Sequence, residues 1–175
     1  MTTETIDRYG ALTAPDTLTI RRVLPGPAER IWAYLTDGEL RRKWLAAGSM
    51  EERVGAAFTL TWRNDELTSP PGAKPDGFGG EHSMASTVTE CDPPRRLAFT
   101  WGDSGSTVEI DLEPEGEDVL LTLVHRSVPE GDTRRMIGAG WLAHLDVLES
   151  VAKGKAPTPF WDSWTALKAE YDARF

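Results

Sequence analysis

Val108-Glu109-Ile110-Asp111-Leu112, Val119-Leu120-Leu121-Thr122-Leu123-Val124-His125 and Thr133-Arg134-Arg135-Met136-Ile137-Gly138-Ala139-Gly140-Trp141-Leu142-Ala143-His144-Leu145 decide the architecture. Across these segments the apolar period changes from two to about 3.6 residues. Val108, Ile110 and Leu112 face one way, with Glu109 and Asp111 opposite, which is the alternation of a half-buried strand. Val119, Leu121, Leu123 and His125 share a face of the next strand, and Glu115-Gly116-Glu117-Asp118 reads as the hairpin connection between them. Ile137, Trp141, Leu145 and Leu148 then form a helical stripe, extended by His144, Val151 and Ala152. That helix is expected from about Thr133 to Lys153, with Gly154 as its stop.

Working back towards the N-terminus, Phe58, Leu60 and Trp62 alternate with Thr59, Thr61 and Arg63. Met84, Ser86 and Val88 continue on a further strand, Asp92-Pro93-Pro94 makes a turn, and Leu97, Phe99 and Trp101 alternate again. Thr17 to Leu24 reads as the first strand, with Leu18, Ile20 and Leu24 on its buried face. Pro25-Gly26-Pro27 ends it, and Pro27 opens a short helix carrying Ala28, Ile31 and Leu35. Asp37 can cap a second short helix bearing Leu40 and Trp44. Residues 1–16 read as a flexible leader, and 17–175 as one domain ending in an extra helix at about 159–174 that presents Trp161, Trp164, Leu167 and Tyr171. Asn64 to Glu81, rich in Pro and Gly, reads as a lid, a binding loop or disorder. Strands joined by short turns favour an antiparallel meander, and one of its faces needs the long helix as cover. The fold class is therefore α+β, with a curved antiparallel sheet wrapped around a long C-terminal helix and two short helices after the first strand.

Composition narrows the partners. The formal net charge of −9 repels phosphate backbones and anionic lipid surfaces, so neither nucleic acid nor membrane is expected. The basic runs Arg21-Arg22, Arg41-Arg42-Lys43, Arg95-Arg96 and Arg134-Arg135 are short and read as solvated element ends. Cys91 is the single cysteine, so no internal disulfide forms and a reducing cytoplasm is the expected location. A homodimer is compatible with the sequence. Seven tryptophans point to an aromatic core or to a cavity with aromatic walls.

Several segments resemble the START-like superfamily, also called the pollen-allergen-like or SRPBCC group. They are Leu24-Pro25-Gly26-Pro27-Ala28-Glu29-Arg30-Ile31-Trp32 with Leu35-Thr36-Asp37, then Trp44-Leu45. Next come Glu90-Cys91-Asp92-Pro93-Pro94-Arg95-Arg96-Leu97 with Phe99-Thr100-Trp101, Leu121-Thr122-Leu123-Val124-His125, and Gly140-Trp141 with Leu145 and Leu148. The branch resembled is that of the heat-shock chaperone ATPase activator homologues. The resemblance implies a helix-grip fold with a cavity between long helix and sheet, and it implies no particular reaction. The branch's eukaryotic namesake carries a separate N-terminal domain, and the residues before the first strand are too few to encode one.

The expected cavity walls are Phe58, Leu60 and Trp62, then Met84, Phe99 and Trp101. Val108, Ile110, Leu121 and Leu123 continue them on the last two strands, and Met136, Trp141 and Leu145 face them from the helix. His125 and His144 are the candidate polar anchors, either as a facing acid–base pair or as separately hydrogen-bonded wall residues. Gly138 and Gly140 each cost the helix about 1 kcal/mol relative to Ala. They signal either close packing against the sheet or room left for a ligand, and Gly140 is the ligand candidate. No HxH, HExxH, CxxC, GxSxG or phosphate-loop spacing occurs, so no metal, no cofactor and no catalytic residue is assigned. The favoured function is binding of a small apolar molecule, as carrier, sensor or sequestering protein. An enzyme acting on a hydrophobic or polyketide-like substrate in the same cavity is the alternative, and a co-chaperone-like interaction module is the third reading.

Overall fold

The computed structural model describes residues 7–174. In chain order the elements are β1 (Ala11–Ala14), β2 (Thr17–Pro25), α1 (Ala28–Thr36), α2 (Gly38–Arg41), β3 (Ala57–Trp62), β4 (His82–Asp92), β5 (Arg96–Trp101), β6 (Ser106–Glu115), β7 (Asp118–Arg126), α3 (Asp132–Ala152) and α4 (Phe160–Arg174). The seven strands form one sheet in the order β1-β2-β7-β6-β5-β4-β3, and every pairing is antiparallel. β3 to β7 follow one another as a meander, and β2 returns beside β7 with Leu18 opposite His125 and Leu24 opposite Val119. This is the α+β arrangement that the change of period predicts and the helix-grip fold that the family resemblance implies.

Leu18, Ile20 and Leu24 are buried, as the alternation of β2 requires. They join Val108, Ile110, Leu121 and Leu123 of the sheet and Leu142, Leu145 and Leu148 of α3 in one core. Each such side chain contributes about 1.5–3 kcal/mol on full burial. α3 ends where expected, with Gly154 in the left-handed region at φ 69°. Asp37 caps α2 by accepting from the Glu39 amide at 2.9 Å. α2 itself stops at Arg41, so Trp44 lies in the turn after it rather than on it.

Two readings need correction. The leader expected over residues 1–16 does not extend to the strand, because Ala11–Ala14 pairs with β2. Tyr171 of α4 donates its hydroxyl to the Tyr9 carbonyl, and Arg8 meets Asp146 of α3 at 3.2 Å. Residues 1–6 lie outside the described ones. The second correction concerns the basic runs. Arg22 and Arg41 are buried, not solvated. Arg22 donates to the Arg8 carbonyl at 2.8 Å and to Asp146 at 3.2 Å, so it joins the N-terminal segment to α3.

The segment between β3 and β4 is tied to α4 through its first half. A helix leaves its first four N–H groups unsatisfied, and here the loop supplies the acceptors. The Phe160 amide donates to Thr68 Oγ1 at 2.9 Å, and the Trp161 amide to the Pro71 carbonyl at 2.9 Å. Asp162 Oδ1 accepts from the Ala73 amide at 3.0 Å, and Asp65 Oδ1 from the Trp161 indole at 2.8 Å. Hydrogen bonds from Lys74 and Trp161 hold the Asp65 carboxyl below its ordinary pKa. The Phe78 ring lies 4.9 Å from Trp161 and 5.0 Å from Trp164.

The outer sheet face carries ion pairs. Arg96 bonds Glu90 and Asp111, and Glu109 bonds Arg126 at 3.1 Å. Such exposed pairs contribute little individually, and they leave this face charged.

The two helix glycines divide between the two readings. A Cβ on Gly138 would lie 2.5 Å from the buried Tyr171 ring, so this glycine exists for close packing, against α4 rather than the sheet. A Cβ on Gly140 would meet nothing within 4 Å. Gly140→Ala is therefore expected to stabilise by about 0.5–1 kcal/mol, raising Tm by about 1–4 °C. Gly138→Ala is expected to lower Tm, since overpacking costs about 1–3 kcal/mol. Thermal melts that shift both variants in the same direction would contradict this division.

Candidate ligand site

The open space lies against the N-terminal half of α3. A cavity of about 360 Å³ is bounded on that helix by Thr133, Met136, Ile137, Gly140, Trp141 and His144. Their spacing is that of one helix face. Opposite stand Trp62 and Trp101, at the ends of β3 and β5, and Leu45 from the turn after α2. The Trp101 ring lies 5.5 Å from Trp62 and 5.2 Å from Trp141, so three indoles make a continuous apolar wall. Met136 is 38% exposed and marks the mouth. A second cavity of about 440 Å³ shares Trp62, Trp101 and His144 as walls. Asn64, the segment Gly77 to His82, Met84 and Trp161 complete it, so the loop tip and α4 roof this neighbour.

Each histidine is held separately, so the facing acid–base pair does not form. Trp141 Nε1–H donates to His125 Nδ1 at 2.9 Å. The His125 ring is fully buried beneath Trp101, 5.1 Å between ring centres, and its Nε2 is sealed without a protein partner. His144 Nδ1 lies 2.8 Å from the Trp44 carbonyl. That oxygen can only accept, so Nδ1 carries the proton and Nε2 keeps a free lone pair. The Phe160 ring, 4.9 Å away, fixes the imidazole from the α4 side. Burial pushes both imidazoles down to about 4, with the Trp44 carbonyl acting against that shift at His144. Both are neutral at pH 7.

Of the expected wall residues, Trp62, Trp101, Met136, Gly140, Trp141 and His144 line the 360 Å³ cavity, and Met84 lines its neighbour. The others do not reach it. Leu60, Phe99, Val108, Ile110, Leu121, Leu123 and Leu145 are packed core, and Phe58 meets Phe99 edge-on at 5.6 Å. His125 stands behind the indole wall rather than in it. Strand parity identifies the inward face but not the depth at which α3 covers it. Leu45, Thr133 and Ile137 escaped the reading. Thr133 and Ile137 stand seven and three residues before Gly140, a helical offset that would have found them.

Among the described residues no three His, Cys, Asp or Glu side chains converge as a metal cage requires. No helix among them is long and apolar enough to cross a membrane. The walls of the 360 Å³ cavity carry no carboxylate, thiol or amine.

The chain is similar to solved structures over nearly its whole length. A protein encoded by gene BPP1335 from Bordetella parapertussis is 31% identical, with 99% of this chain and 96% of that one covered and a TM-score of 0.78. CalU16 from Micromonospora echinospora is 24% identical, over 90% of this chain and 86% of that one, with a TM-score of 0.65. DynU16, described as a putative protein in the dynemicin biosynthetic locus, is 20% identical over 83% of this chain and 51% of that one, with a TM-score of 0.64. The last two likenesses speak to fold alone. No curated protein matches the chain. The family model described as "Activator of Hsp90 ATPase homolog 1-like protein" matches residues 25–153, most of the sheet and all of the long helix, and the chain belongs to that family.

Proposed function

We propose that this protein binds a small hydrophobic molecule between the sheet and the long helix, as a carrier, a sensor or a sequestering protein. Gly140 carries the reading. On a helix face otherwise set with Trp141, Met136 and Ile137, the glycine leaves space that no neighbouring atom fills. The volume of about 360 Å³ falls within the roughly 300–1,000 Å³ of small-molecule sites. The uncharged walls favour binding over catalysis, because the single imidazole among them is neutral and already hydrogen-bonded. The charged outer sheet face speaks for an internal ligand rather than an apolar protein contact. The one free cysteine, Cys91, fits a reducing cytoplasm.

Titration with an apolar dye such as Nile red tests the reading. Binding is expected to change indole fluorescence, since three tryptophans border the site. Gly140→Leu should weaken the dye by at least about tenfold, while overpacking costs the fold no more than about 1–3 kcal/mol. Folded wild-type protein that takes up no apolar dye, and carries no small molecule in native mass spectrometry, would overturn the proposal.

A further inference from the structure

The polar atom that His144 offers in the wall of the 360 Å³ cavity points to a chemical class of ligand. We propose that the cavity selects a flat, uncharged aromatic molecule bearing a hydroxyl group, which donates its hydrogen to His144 Nε2. This rests on the apolar-binding reading and adds to it a definite polar contact.

Three observations converge. The first is the tautomer. The Trp44 carbonyl takes the Nδ1 proton, so Nε2 is an acceptor and cannot also donate. The second is access. His144 is 5% exposed, and no protein group among the described residues bonds its Nε2. His125 Nε2 and Ser86 Oγ are sealed off without partners, but His144 Nε2 is not among the sealed atoms, and its residue lines both cavities. An open acceptor on a fixed ring inside an apolar space is a binding determinant. A ligand lacking a donor there would strip water from Nε2 and leave it unpaired. The third is the shape and charge of the walls. Trp62, Trp101 and Trp141 offer flat ring surfaces, and none of the residues bounding the space carries a charge. A carboxylate would bring its negative charge against a lone pair, with no cation to receive it. A neutral phenolic hydroxyl satisfies every one of these conditions. Burial lowers the imidazole's proton affinity, which keeps Nε2 in its accepting form at neutral pH.

The position is also rigid. Nδ1 is anchored to the turn after α2, and the ring rests on Phe160 of α4, so Nε2 is aimed before a ligand arrives.

Isothermal titration calorimetry of the full chain at pH 7.5 with 2-naphthol, 2-methoxynaphthalene and 2-naphthoate provides the test. The three probes share one ring system and differ in donor and charge. The wild-type protein is expected to bind 2-naphthol at least about tenfold more tightly than 2-methoxynaphthalene, and 2-naphthoate most weakly. In His144→Asn the side-chain amide can still donate to the Trp44 carbonyl, but Nε2 is gone. The preference for 2-naphthol should then fall to about one. Equal wild-type affinities for 2-naphthol and 2-methoxynaphthalene would overturn the hydroxyl contact and leave apolar binding standing. A preference that survives in His144→Asn would overturn the assignment to His144, and tightest binding of 2-naphthoate would overturn the requirement for a neutral ligand. Failure of all three probes to bind folded protein would overturn the apolar reading together with this one.

Discussion

Arg41→Met is expected to destabilise the protein by about 3–5 kcal/mol, read as a fall in the urea midpoint with little change in slope. Arg41 is 2% exposed and no carboxylate bonds its guanidinium. It instead donates to backbone carbonyls: Nε to Ala46 at 3.2 Å, Nη1 to Leu35 at 3.2 Å, and Nη2 to Gly48. The side chain thus replaces regular structure for the turn from Arg42 to Gly48. Burial lowers its pKa to about 10, so it still carries its proton at pH 7. Methionine matches the length and removes every donor, leaving several buried carbonyls unpaired at about 1–3 kcal/mol each before the turn relaxes. Arg41→Lys should lose nearly as much, because one ammonium cannot span carbonyls on both sides of a planar fork. The same turn supplies Leu45 to the cavity and the Trp44 carbonyl to His144, so apolar-dye affinity should fall along with stability. A loss below about 1 kcal/mol in both variants would show that the turn holds itself.

Arg41 also shows where sequence reading stops. In Arg41-Arg42-Lys43 the three cations look alike, and a run of charge ordinarily means solvent. Only Arg41 is buried, because Leu35, Ala46 and Gly48 turn their carbonyls onto it. Arg22 repeats the lesson, since its partner Asp146 lies 124 residues further along the chain. Partners that distant leave no local pattern. β1 was hidden for a related reason. Ala11-Leu12-Thr13-Ala14 is short and weakly alternating, and it becomes a strand because β2 offers an edge.

Most of the fold, by contrast, was written in period. The alternation in β2, β5, β6 and β7 and the stripe on α3 survive because each element buries one face, and that constraint acts residue by residue. The cavity is a property of depth, which period does not encode. Leu121 and Trp101 both point inward, yet Leu121 is sealed core and Trp101 is wall. The difference is where α3 stands above each strand. What the sequence could offer was the pair Gly140-Trp141 beside His144, a missing side chain, a flat ring and a polar atom within one helical turn.

Acid should unfold this protein well before its carboxylates titrate fully, and the two buried histidines are the reason. Both have folded pKa values near 4 against an ordinary 6.5. Below pH 6.5 the unfolded chain therefore binds protons that the folded chain refuses. The stability they protect is complete above about pH 6.5 and is lost as pH falls towards 4. At about 1.4 kcal/mol per pKa unit the loss is of the order of 3 kcal/mol for each histidine, a large part of a typical domain's stability. Other groups do not reverse the sign in this window. Asp132 and Glu109, held low by Lys168 and Arg126, lose their contribution only below the ordinary carboxylate range. Asp146, raised by burial despite Arg22, works the opposite way and offsets part of the loss near the lower end. Urea midpoints at pH 7.0, 5.5 and 4.5 measure the effect. The double variant His125→Asn with His144→Asn should start lower at pH 7.0, because packing changes, but lose much less between 7.0 and 4.5. The asparagine oxygen can accept from the Trp141 indole, and the asparagine amide can donate to the Trp44 carbonyl, so the two anchoring bonds have neutral replacements. Equal losses in wild type and double variant would place the acid sensitivity elsewhere, and a wild-type midpoint that stays flat from pH 7.0 to 4.5 would mean that water reaches both rings in the folded state.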